Sequence, residues 1–279
     1  MVMKNIKLIS ILCSIVLFFS CERTATVDVP QVDPMPVMFS FISPENEFTE
    51  VTISKSVPIF GKSSHGEFEI IKNADVTIND NNGASAQITY NSSSESYTID
   101  QSAFPINPGF TYYIVAKFPG YELKASTTVP IDAVYLSEVT SEKLASDPNG
   151  GQKYLIRTKW LDRPGIVNYY RVNLEQLISH SPSDTDGYSM GNQVHSDYQR
   201  DGQEITDKYE YYEYDFGGNN SSFNVYLLNT DIHYYEYHKR RLNYYGDDYF
   251  SEPVQQYSNV IGGLGVVCSY RKTSIYHKL

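Results

Sequence analysis

The residue with the most definite chemistry in this chain is Cys21. It closes the stretch Leu17-Phe18-Phe19-Ser20-Cys21, where a leucine, a small serine and then a cysteine end the largely apolar run that starts at Leu8. Lys4 and Lys7 precede that run, which gives the charged start and short hydrophobic centre of a secretory signal. The run is too short to span a bilayer comfortably. The order resembles a bacterial lipobox, in which the signal is cut before the cysteine and the thiol takes up a diacylglycerol through a thioether. Phe18 and Phe19 are bulkier than the usual occupants, so cleavage to a soluble product and an uncleaved anchor stand as alternatives. A thioether-linked diacyl chain plus an N-acyl chain holds a protein on a membrane far more firmly than a single myristoyl chain. Residues 1–20 are therefore expected to be the signal and Cys21 the lipidated N-terminus. Cys13 leaves with the signal, so Cys268 remains without an intramolecular disulfide partner.

Other chemistry is sparse. The chain has no H-E-x-x-H, G-x-S-x-G, C-x-x-C or phosphate-binding Walker loop. His233 and His238 are five apart, about 140° round a helix, and do not share a face for a metal. His233 and Glu236 do fall three apart, but no further ligands accompany them. Asp184-Thr185-Asp186-Gly187 has the alternating carboxylates of a calcium loop without the third acid and distal Glu, so Asp184 and Asp186 form a weak calcium candidate and a solvated turn is the plainer reading. Paired carboxylates for glycoside hydrolysis are invisible in sequence, because 33 acids offer many pairs. No cofactor is implied.

The aromatic signal is stronger. Between Tyr188 and Tyr249 lie 13 of the 25 tyrosines. Strand alternation puts Tyr212 and Tyr214 on one face and Tyr209 and Tyr211 on the other. On a helix, Tyr234, Tyr235 and Tyr237 cannot all be buried in one stripe. Tyrosine offers rigid contact area with a polar tip, which suits protein or carbohydrate surfaces, and also suits the core and rim of a β fold.

The elements that must position these residues are mostly strands. The tether, residues 21–36, carries three prolines and no hydrophobic period. From Val37 the period is two, with both faces of Val37 to Ile42 apolar, as in a strand buried on two sides. Six further short strands follow before Pro130, with Asn79 to Gly83 as a hairpin turn, and seven short strands in under 100 residues imply an immunoglobulin-like β-sandwich over residues 37–130. Residues 131–279 read as a second β-rich domain, sandwich or barrel-like. It has a long loop or pair of edge strands at 181–204, one helix near 230–245 started by Asp231 and ended by basic residues, and a glycine-rich closing strand. The fold class is thus mainly β, with one inserted helix. Signal removal takes two of the 22 basic residues and none of the 33 acidic ones, leaving a net charge of −13 that repels nucleic acid.

Near the C-terminus, Phe250-Ser251-Glu252-Pro253-Val254, Tyr257-Ser258-Asn259 and Gly262-Gly263-Leu264-Gly265-Val266 resemble the ending of the DUF4249 family of Bacteroidetes lipoproteins. The lipobox, the Val129 to Asp132 segment and the Tyr-rich helix fit the same resemblance, while Gln255-Gln256 and Val266-Val267 depart from it slightly. The resemblance implies an outer-membrane lipoprotein, often encoded beside a TonB-dependent transporter, and brings no catalytic residues. Read by themselves, the glycines lack the lysine and helix start of a phosphate cradle and signify close backbone approach. The leading expectation is a non-enzymatic accessory or ligand-binding partner of such a transporter, with a glycan or peptide as ligand and the outer membrane as location. A surface adhesion or structural lipoprotein and an extracytoplasmic hydrolase are the alternatives.

Overall fold

The computed structural model describes residues 33–57, 68–146, 151–181, 184–191, 193–213, 221–242 and 256–279, giving only the backbone course for 178–181 and 184–188. The described elements belong to one unit, Pro34–Val57 with His65–Leu279. In order they are β1 (Pro36–Ile42), β2 (Phe48–Lys55), β3 (Asp75–Asp80), β4 (Ser85–Asn91), β5 (Ser96–Asp100), β6 (Thr111–Phe118), β7 (Tyr121–Thr128) and β8 (Leu136–Lys143). There follow β9 (Gln152–Leu161), β10 (Tyr169–Ser181), β11 (Asp184–Met190), β12 (Val194–Ser196), β13 (Glu204–Glu213), β14 (Ser222–Thr230), α1 (Ile232–Leu242) and β15 (Leu264–Lys278).

Among the described residues the fold is a mainly β sandwich with one helix, and neither sheet closes into a barrel. The larger sheet runs β11-β10-β14-β15-β1-β2-β5-β4-β3-β6-β7, with β12 added beside β10; β13-β9-β8 form a second sheet. All seven strands expected before Pro130 are present, and the 181–204 stretch supplies β11 and β12. Of the helix expected near 230–245, Ile232 to Leu242 are helical, and residues 243–245 lie outside the described residues.

Two cores follow from the alternation. In the first, Met38 and Ile42, Val51 and Ile53, Val76 and Ile78, Tyr112 and Ile114, and Leu123 point inward from successive strands. The sheet curls so that β7 returns to β15, where Lys124 and Ile261 exchange backbone hydrogen bonds of 3.0 and 2.8 Å. In the second, Ile156, Trp160, Ile205 and Tyr211 of the small sheet pack on Tyr170, Val172, Leu174, Phe223, Val225 and Leu227 of the large one. Burying side chains of this size is worth about 1.5–3 kcal/mol each, so these two seams supply most of the driving force.

β15 joins the halves. Its first part, Leu264 to Ser269, pairs in parallel with Val37 to Ile42 of β1, and its second, Tyr270 to Lys278, pairs antiparallel with β14. Along the first part the free edge is finished by a side chain: Asn259 accepts from the Val267 N–H (2.9 Å) and donates to the carbonyls of Val267 (2.8 Å) and Ser126 (3.1 Å). The glycines ahead of it permit the approach. Gly265 has φ +114°, and a Cβ there would lie 2.0 Å from the Met38 carbonyl oxygen; one on Gly263 would lie 2.4 Å from that of Pro36.

Replacing Gly265 by Ala is expected to lower unfolding free energy by about 3 kcal/mol or more, since the obstructing atom is backbone and has nowhere to move. Gly83→Ala, at a β3–β4 turn with φ +93° and open space around the missing Cβ, should cost only about 1 kcal/mol. Urea titration of both variants checks this; equal losses would mean that φ alone, not the β1–β15 contact, matters at Gly265.

Candidate functional site

β1 and β2 begin as a pair and then part. Pro36 to Phe39 match Thr52 to Lys55, but beyond Phe39 β1 remains on β15 while Phe48 to Val51 of β2 move over to Asp100 to Tyr97 of β5. Two side chains bridge the gap: Ser40 Oγ donates to the Glu50 carbonyl (2.7 Å) and Asn46 Nδ2 to that of Phe41 (3.3 Å). The divergence leaves a groove of about 520 Å³. Phe39, Phe41 and Tyr270 form its aromatic floor, and Glu45, Glu47, Phe48, Glu50, Thr52 and Lys272 its rim. A volume of this size falls in the range of small-ligand sites.

α1 packs on Phe39 and Phe41, the β1 side of the groove. Asp231 is its N-cap: Oδ1 accepts from the Tyr234 N–H at 2.8 Å. Tyr237 meets Phe39 edge-on at 5.8 Å between centroids and Phe41 at 6.0 Å, and Phe41 also meets Tyr234 at 5.9 Å. Phe39 and Phe41 thus cover the helix side of β1 while Met38 and Ile42 enter the core on the other side, the two-sided burial expected of this strand.

The structure sorts the singled-out tyrosines. Tyr234 is buried, donated to by Arg171 Nη1 at 2.9 Å. Tyr235 stacks on Tyr169 at 4.6 Å with the Lys239 ammonium 5.1 Å from its ring, and is half-buried like Tyr237. Tyr212 lies on the outer face of β13 with Lys153 above it at 5.3 Å, while Tyr211 faces the core. Tyr214 and Cys21 lie outside the described residues, as do the side chains of Asp184 and Asp186, whose backbone belongs to β11. Neither Tyr212 nor Tyr235 lines the groove. The groove residues themselves were missed, because Phe39 and Phe41 read as one face of a doubly buried strand and Glu45 to Glu50 carried no motif.

Burial sets the electrostatics around α1. His238 is pushed down to about 3 by burial and by Arg171 and Arg241, so it stays neutral and its ring nitrogen can accept from Arg171. Burial also lowers His233, whose Nδ1 lies 2.6 Å from the Tyr257 hydroxyl. Asp231 goes the other way, up to about 7, because burial outweighs its hydrogen bonds. Its Oδ2 meets the Thr127 hydroxyl, which also meets Ser269 Oγ (2.8 Å), which in turn donates to the Thr128 carbonyl (2.9 Å). Three contacts in this row share two hydroxyl protons, and a protonated Asp231 supplies the third.

One acid group, missed in sequence because it joins two loops, has the spacing for a divalent ion: Asp162, Asp197 and Asp201, with carboxylate oxygens within 4.8 Å of one another. Those oxygens are already tied to loop donors. Asp162 accepts from the Tyr170 hydroxyl and the Gly202 N–H, Asp197 from the Asn168 N–H, and Asp201 from the Gly165 N–H. The group is accounted for as loop bracing. Among the described residues no helix is long and apolar enough to cross a membrane.

The comparison with protein families matches residues 22–275 to DUF4249, a domain of unknown function. The chain belongs to this family. No curated protein matches it. Phe250 to Val254 of the C-terminal ending lie outside the described residues; in the rest of it, Tyr257 holds α1 through His233, Asn259 holds β7 to β15, and the glycines admit β15 against β1.

In Asp231→Asn the amide reproduces both the cap and the protonated carboxyl. Because the folded-state value stands above the ordinary 3.8, the acid's contribution is full below about pH 4 and is lost as pH rises through 7. The Asn variant should therefore gain roughly 2 kcal/mol on the parent between pH 5 and pH 8, less than the full shift since the residue is not sealed from water. Urea unfolding at the two pH values measures it; a difference independent of pH would show that Asp231 is ionised throughout.

Proposed function

We propose that this DUF4249 protein is a non-enzymatic, lipid-anchored binding protein of the outer membrane that assists a TonB-dependent transporter by holding a glycan or peptide ligand in the groove between β1 and β2. The observation that carries this reading is the groove itself. It opens to solvent where two strands diverge and is floored by aromatic rings, two of which, Phe39 and Phe41, are backed by Tyr234 and Tyr237 of α1. Aromatic floors with a few polar rim groups are what ligand sites commonly provide. The signal and lipobox ending at Cys21 support the anchor, and the family resemblance supports the transporter. The expected tether of residues 21–36 ends where β1 begins, at Pro36.

Cell fractionation and mild-detergent purification test the proposal together. The parent chain should sediment with outer membranes, take up labelled palmitate and bring down a stoichiometric β-barrel protein. Cys21→Ala should abolish the label and move the chain to the soluble fraction. A labelled Cys21→Ala chain, or a parent chain that purifies alone, overturns the corresponding part of the reading.

A further inference from the structure

We infer that the groove selects a cationic peptide segment, an arginine side chain lying on Phe48 with its guanidinium between Glu47 and Glu50. This rests on the groove being the ligand site proposed above.

The charge around the groove is unbalanced. Glu45 is satisfied by Arg271 Nε at 2.7 Å, by the Ser43 hydroxyl at 2.7 Å and by the Lys272 N–H at 3.0 Å. Glu47 and Glu50 form no side-chain hydrogen bond or ion pair among the described residues. The nearby cations are committed elsewhere. Arg271 also donates to the Ile131 carbonyl at 2.7 Å, and the Lys272 ammonium lies 5.7 Å from the Tyr226 ring. Elsewhere the chain pairs several of its exposed acids with cations, as in Lys55–Glu69, Lys153–Glu210 and Arg157–Glu142. Here it leaves two uncompensated carboxylates beside rings.

The geometry adds a third. Phe48 sits directly across the β2–β5 ladder from Asp100, and Glu50 across from Thr98, so these side chains share the outer face. Phe48 is 42% exposed, on the part of β2 that pairs with β5 on one side and has parted from β1 on the other. A bare aromatic ring between Glu47, Glu50 and Asp100 presents a negative π face inside a negative field. A guanidinium answers every part of this surface, since it stacks on a ring and hydrogen-bonds carboxylates in a fork. A bare metal ion does not, because it has no use for Phe39, Phe41 or Phe48. A neutral glycan uses the rings and leaves the charge unanswered. The cavity accommodates an arginine and the backbone around it rather than a folded domain.

The test is titration calorimetry on the mature lipidated chain in nanodiscs of zwitterionic lipid. The probe is an acetylated, amidated Gly-Arg-Gly-Arg-Gly peptide, with its citrulline counterpart and a neutral malto-oligosaccharide alongside. Saturable binding of the arginine peptide is expected, weakened by salt and lost with citrulline. Glu47→Gln with Glu50→Gln should weaken it about tenfold, and Phe48→Ala about fivefold. All three side chains are exposed, so thermal midpoints should stay unchanged. Equal affinity for arginine and citrulline peptides, or indifference to the Glu→Gln pair, overturns the inference. If the oligosaccharide binds instead and Phe48→Ala removes it, the cation inference fails while the groove remains a binding site. If no probe binds, both fail.

Discussion

The whole arrangement hangs on the contact between Gly265 and the carbonyl of Met38. β1 and β15 lie at opposite ends of the described chain, yet they must run in parallel at a separation no side chain at Gly265 would allow. Parallel neighbours need a long crossover, and here the crossover is nearly the whole protein. From that seam the second part of β15 goes on to pair with β14 and so reaches the other core. Neither half of the large sheet is complete until the C-terminal strand is in place. A fold closed by such distant pairing carries high loop-closure cost before any contact rewards it, and is of the slow-folding kind.

The same seam explains how much could be read from the residues. Alternation is a local signal, so Tyr112, Ile114 and Ala116 in β6, or Tyr209 and Tyr211 in β13, announced their faces. Asp231 and the run Lys239 to Arg241 announced the helix. The glycines of the C-terminal ending announced close approach without naming the partner. Register between β1 and β15, and the switch of β2 from β1 to β5, are relations between distant residues that no periodicity records. The groove is a product of that switch, which is why no local pattern pointed to its rim.

Tyrosine was ambiguous for a different reason. A buried ring is tolerated when its hydroxyl finds a partner, and this protein supplies partners from its loops. Tyr97 donates to the Ile71 carbonyl and accepts from the Ala74 N–H; Tyr112 does the same with Pro105 and Asn107. Tyr170 donates to Asp162, and Tyr211 accepts from Gln176. Much of the tyrosine excess therefore stitches strands to loops, and a high count says little about surface recognition. Tyr234 illustrates it within the helix, sealed under Arg171 while Tyr235 beside it stacks on Tyr169.

For the proposed ligand site, that redistribution moves the weight of recognition from the helix to the strands it covers. Once Tyr234 and Tyr237 are spent on holding α1 against Phe39 and Phe41, the rings still open to solvent on this face are those at the parting of β1 and β2. A strand leaving one sheet for another must open a wedge, because its old partner keeps its own direction and the backbone cannot fill the space between. Ser40 and Asn46 satisfy the exposed carbonyls there with short polar side chains, and the volume above them remains vacant. In most β folds recognition is delegated to loops. Here the wedge lies on the sheet itself, backed by the seam at Gly265, so its walls are held by the most constrained part of the fold and a ligand entering it meets little that must be ordered first.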